Sequence, residues 1–139
     1  MNKKKRSTRK QKKRNTHAAK QALHNNICAS LEQRLLNSTI QYHNIITEHE
    51  YYDTTNKVDG ECDVHAYYDN KHFGATGKAY LLLFEVKCTD NHKGKKKAIQ
   101  QLKKDEAHYK ANVYTKVDEI KKFYVHGNKD NTYSIKQIK

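Results

Sequence analysis

Long apolar runs are missing from this 139-residue chain. The longest, Ala79 to Phe84, is far short of the ~20 residues a spanning helix needs, which excludes a helical membrane protein. The basic start is not followed by an apolar stretch, so no secretory signal is expected. Cysteine is scarce. Cys28, Cys62 and Cys88 are odd in number and lack C-x-x-C spacing, which argues for a reducing, intracellular setting and for inert buried thiols. The nine histidines show no close His or Cys pairs, so a zinc site is not expected. Residues 1–14 contain no acid, and no internal repeat is found.

What is abundant is positive charge. The formal net charge is +13 and the sequence pI about 9.6. A strongly basic chain points to a polyanionic partner, nucleic acid first. Nine of the 28 Lys and Arg fall in residues 1–14, leaving only +4 on the rest. Residues 1–16 are therefore expected to form a disordered basic arm, because like charges repel and build no core. Lys3, Lys4, Lys5, Arg6, Arg9 and Lys10 would contact phosphates and release counterions; the alternative is a solubility or localisation tail. Residues 17–139 offer room for one domain with a modest core. The expected location is cytoplasmic and nucleoid-associated, or nuclear for a eukaryotic source, where Lys3-Lys4-Lys5-Arg6 and Lys12-Lys13-Arg14 read as an import signal.

Leu23, Ile27, Leu31 and Leu35 recur every four residues and predict a helix from His17 to about Asn37, with Cys28, Glu32 and Leu36 on the flank of its apolar stripe. Strands are predicted around Asn44–Tyr51, Val58–Tyr68 and Ala79–Cys88, the last two as a hairpin with a long, irregular tip. Thr89 to Lys97 reads as a lysine-dense loop, Lys97 to Ala111 as a second helix, and Phe123–His126 and Tyr133–Ile138 as short closing strands. Helix, three strands, helix, two strands fits an α/β fold with a sheet between helices.

Two strand-like segments end in chemistry. Gly60-Glu61-Cys62-Asp63 places an acid on one, and the apolar run Tyr80 to Phe84 ends in Glu85-Val86-Lys87 on the next. Alternation puts Glu85 and Lys87 on one face and Val86 on the other. A carboxylate and an ammonium ending a buried run are costly unless paired or used. Two carboxylates suit a hard divalent cation, and a lysine can handle a water. His65 shares a strand face with Asp63 and reads as a phosphate contact or a structural residue. The tyrosine pairs Tyr51-Tyr52 and Tyr67-Tyr68 read mainly as half-buried strand positions, with stacking on bases as the alternative.

The pattern Asp63, then hydrophobic-Glu85-Val86-Lys87, resembles the PD-(D/E)xK nuclease superfamily. Upstream, Ser30-Leu31-Glu32-Gln33-Arg34 resembles the first-helix glutamate of archaeal Holliday junction resolvases; downstream, Ala98-Ile99-Gln100-Gln101-Leu102 resembles the family's glutamine helix. The likeness covers roughly residues 18 to 110. The family's proline before the Asp has no counterpart, since the chain has no proline. The resemblance implies a restriction-endonuclease-like core, a mixed central sheet flanked by helices, and Mg²⁺ or Mn²⁺ held by Asp63, Glu85 and the Val86 carbonyl. It implies that Lys87 positions the attacking water or stabilises developing charge. Glu32 would bind a second metal or orient the nucleophile, and Gln101 (or Gln100) would brace the site. Lys93, Lys95, Lys96 and Lys97 would lie near the scissile phosphate. The implied activity is endonucleolytic hydrolysis of branched DNA leaving a 5′-phosphate, by a possible homodimer. A general DNA-end or single-strand nuclease and a non-catalytic nucleic-acid-binding protein are the alternatives.

Overall fold

The computed structural model describes residues 9–70 and 77–139. Lys3, Lys4, Lys5, Arg6 and the segment 71–76 lie outside them. The elements run α1 (Arg9–Leu36), β1 (Asn44–Tyr52), β2 (Val58–Asp69), β3 (Ala79–Lys87), α2 (His92–Asn112), β4 (Glu119–Gly127) and β5 (Tyr133–Ile138). The sheet has five strands in the order β1-β2-β3-β4-β5. All neighbours are antiparallel except β3 and β4, which are parallel. A parallel pair needs a crossover, and α2 supplies it. The protein is therefore an α/β fold with a mixed five-stranded sheet flanked by two helices, as the order of elements predicts.

Each helix covers one face. The α1 stripe expected from the sequence is the buried one: Ile27, Leu31 and Leu35 pack with Val64, Ala66, Phe84, Val86 and Val125. On the other face Ala98, Leu102, Asp105 and Tyr109 form the buried edge of α2. Leu102 and Tyr109 pack there with Cys62, Leu81 and Leu83. Strand alternation explains β3: Leu81 and Leu83 face α2, while Phe84 and Val86 face α1. Among the described residues no helix is long and apolar enough to cross a membrane.

Both helices begin earlier than the sequence predicts. α1 starts at Arg9, ahead of the expected start at His17, so the helix takes in Arg9 to Thr16. Lysine, arginine and glutamine are good helix formers, and extending a formed helix adds a hydrogen bond per residue at no nucleation cost. α2 starts at His92, so the expected lysine-dense loop is in fact its first turns. Asn91 explains this: its Oδ1 accepts the Gly94 N–H at 2.7 Å and caps the helix.

Candidate active site

The two strands that carry the acids part where the acids lie. The β2–β3 ladder runs from Asp69↔Ala79 to Val64↔Phe84. Two residues beyond Phe84, the Val86 N–H donates to Asp63 Oδ2, at 2.8 Å. On the other side of β2 the register passes from Thr47↔Val64 to His49↔Cys62 across Glu48, which has φ 52°. A left-handed non-glycine residue within a strand marks a local distortion. Its effect is visible in the packing: Cys62 joins the α2-side cluster and Val64 the α1-side cluster, although alternation would put both on one face. The twist at this point turns Asp63 into the gap between the strands.

The gap is the floor of a cleft of about 310 Å³, lined by Asp63, Glu85, Val86, Lys87, Cys88 and Glu61 from the sheet and by His17, Lys20, Gln21 and His24 from α1. Asp63 and Glu85 are both buried, each 6% exposed. His24 Nε2 is 3.2 Å from Asp63 Oδ1, and Lys87 Nζ is 3.8 Å from Glu85 Oε1. Glu85 Oε2 is buried without a hydrogen-bond partner. Burial, and then the charge of Asp63, push the Glu85 carboxyl far above the usual carboxylate range, and Lys87 only partly offsets this. The hydrogen bond to Asp63, helped by Cys28, raises His24 to about 11. The surroundings thus favour the protonated form of both Glu85 and His24.

Among the described residues no group of three or more His, Cys, Asp and Glu side chains is arranged to hold a metal ion. The donor set is two carboxylates and the neighbouring Val86 backbone. That suits Mg²⁺, which keeps several waters and uses one or two protein carboxylates. The orphaned Glu85 Oε2 and the raised proton affinity beside a second acid show that positive charge is favoured at this point.

The expected residues divide. Asp63, Glu85, Val86 and Lys87 come together. Gln101 does not line the cleft but braces it: its Nε2 donates to the Glu61 carbonyl at 3.2 Å and to Asp105 Oδ1 at 2.8 Å. Asp105 is fully buried, also accepts the Tyr51 hydroxyl at 2.6 Å, and burial raises it to about 6. Glu32 is not brought to the cleft. It lies on the flank of α1 that reaches Asp63, but two turns past His24, about 12 Å along the axis. Lys93, Lys95, Lys96 and Lys97 do not line the cleft either; Lys95 and Lys96 border a separate depression with Ile99 and Lys103 on α2. His65 is a core residue, 1% exposed, bonded through Nε2 to the Tyr114 hydroxyl at 2.9 Å and lowered by burial to about 4.

Sequence reasoning missed His24. Its signal is present in hindsight: His24, Cys28 and Glu32 repeat every four residues along one flank, so a reading that places Glu32 near the acids places His24 there equally well. Cys88 has a structural part, its thiol donating to the Lys20 carbonyl at 3.1 Å and so tying the end of β3 to α1. Comparison with family models, curated proteins and solved structures finds no match to this chain.

Proposed function

We propose that this protein is a divalent-metal-dependent endonuclease of the PD-(D/E)xK type acting on DNA, with a restriction-endonuclease-like core and branched DNA such as a four-way junction as its preferred substrate. The observation that carries this reading is the meeting of Asp63 and Glu85 in the gap between β2 and β3, with Lys87 beside them and a buried carboxylate oxygen lacking a partner. A binding protein gains nothing from two buried acids facing phosphate. The net charge of +13 supports a polyanionic substrate.

Asp63 and Glu85, with the Val86 carbonyl, would hold Mg²⁺ or Mn²⁺. The bound cation would supply Lewis acidity and a water of lowered pKa. The chain's own residues do the rest. Lys87 orients the attacking water or takes up negative charge as it develops on the phosphate. His24 fixes the rotamer of Asp63 from the α1 side. Gln101 holds the Glu61 carbonyl and so the strand that leads into Asp63. Water adds to phosphorus, the P–O3′ bond breaks, and the product carries a 5′-phosphate.

The test is cleavage of labelled four-way junction, linear duplex and single strand with and without Mg²⁺, run beside Glu85→Ala. Junction cutting that needs Mg²⁺ and is lost in the variant is the expected result. Cutting of linear DNA with no junction preference would make the protein a general nuclease. Tight binding without cutting of any substrate would overturn the catalytic reading.

A further inference from the structure

The outer face of α2 carries lysine with no acid to neutralise it. Lys96, Lys103 and Lys110 recur every seven residues and so stand on one ridge, about 10.5 Å apart. All three are exposed, as are Lys93 and Lys97 beside them. Among the described residues no acid lies within ion-pair distance of any of these five. The two acids of the helix are both taken: Asp105 is fully buried, and Glu106 bonds Lys122 at 2.7 Å. Lys104 alone among its lysines has a partner, Asp59 at 3.2 Å. Lys95, Lys96 and Lys103 border a depression of about 370 Å³ together with His92, Ile99 and Gln100. Folding gains nothing from this arrangement. A helix start favours negative charge, yet the first turn of α2 has no acid and holds Lys93 and Lys95. Lys93 and Lys97 are like charges four residues apart, which also disfavours the helix.

We propose that this lysine face of α2, separate from the cleft and from the basic N-terminus, is a docking surface for the phosphate backbone of duplex DNA. The composition of the face itself selects the occupant. Protein interfaces are depleted of lysine and built around buried aromatic or arginine anchors; here the ridge offers neither, and its one large apolar side chain is the half-buried Ile99. A bilayer would need an apolar helix face, and that of α2 is already spent on the sheet through Ala98, Leu102 and Tyr109. A single strand would need rings to stack on. The outer face has no tyrosine or phenylalanine, and His108 is already stacked on Tyr51 at 4.0 Å. Phosphates need only cations, which lysine supplies. From Lys96 to Lys110 the ridge runs about 21 Å, enough to reach phosphates on both sides of a major groove about 12 Å wide. His92 follows Lys87 by five residues, at most about 18 Å of chain. A duplex on α2 would therefore bring a strand within reach of the cleft. That last step, and the choice of DNA, rest on the nuclease reading; phosphate binding itself does not.

The experiment is binding of a short labelled DNA duplex to the full chain across a range of salt concentrations, in EDTA so that cleavage plays no part. Lys96→Gln/Lys103→Gln is compared with Lys78→Gln/Lys139→Gln, which removes the same charge from exposed positions off α2. The expected result is a plot of log affinity against log salt that is shallower by about two units in the α2 variant and unchanged in the other. Glutamine is as good a helix former as lysine, so the melting temperature should not fall. Should the double variant melt early all the same, Lys103→Gln alone decides, with half the change of slope. An unchanged slope, or an equal change in both double variants, would overturn the proposal and leave the lysines as a solvated face. So would a larger loss on a single strand of equal length than on the duplex, or polyglutamate displacing the labelled duplex better than unlabelled duplex of equal charge. A failure of Mg²⁺-dependent cleavage would count against the nuclease reading and leave this result standing.

Discussion

At Glu85 two effects act in the same direction: burial and the neighbouring Asp63 both favour the protonated carboxyl. A raised folded-state pKa contributes stability below the unfolded value, about 4.3, and that stability is lost as pH rises. Glu85→Gln, which cannot ionise, should therefore melt like wild type near pH 4 and above it at pH 8 in metal-free buffer, while losing Mg²⁺-dependent cleavage. Equal melting temperatures at both pH values would mean that the site carries no such strain. Asp105 offers a second reading of the same kind. Burial raises it to about 6, so its contribution is full below about pH 4 and declines as pH rises through about 6. Asp105→Asn should flatten the stability profile from pH 4 to 6, by at most roughly 3 kcal/mol, as measured by urea unfolding across that range. The tyrosine and glutamine that bond Asp105 Oδ1 keep an acceptor in the variant, so the change isolates the charge.

Among the elements, α1 decides which residues serve the cleft. His24 touches Asp63 and Glu32 does not, so the two variants should differ. His24→Ala should lower metal affinity or cleavage by about 10- to 100-fold, the usual cost of losing a group that orients a metal ligand, whereas Glu32→Ala should leave both unchanged. The reverse order in a Mg²⁺ titration of cleavage would restore the glutamate to the site. Much of this element was legible beforehand. The stripe Leu23, Ile27, Leu31, Leu35 is periodic, and periodicity survives tertiary context. So was the β2–β3 hairpin with Asp63 and Glu85 on it, because apolar runs ending in charge are rare and positional. The helix starts at Arg9 and His92 were not legible, since lysine and arginine neither break a helix nor mark its face. His24 was overlooked because a lone histidine on a helix flank carries no pattern until Asp63 is seen opposite it. Nor does any local signal announce the left-handed Glu48, whose conformation is set by the pairing on both sides of it.

For the molecule as a whole, charge is the dominant variable. Deleting residues 1–8 removes Lys3, Lys4, Lys5 and Arg6 but leaves α1 whole. If these contact phosphates, the salt dependence of duplex binding should become shallower by up to about three to four logarithmic units per unit of log salt. An unchanged slope would make this segment a solubility tail. The sheet has one further consequence. Its strands stand side by side in the order in which the chain writes them, and only the β3–α2–β4 excursion joins parallel neighbours. Sequence-local pairings close fast because little loop entropy is lost, while the long crossover closes late. Asp63 and Glu85 sit on the same hairpin and meet in the quick step. Their mutual repulsion therefore acts on the climb to the folding barrier, so that the pH at which the chain is made bears on how fast it folds.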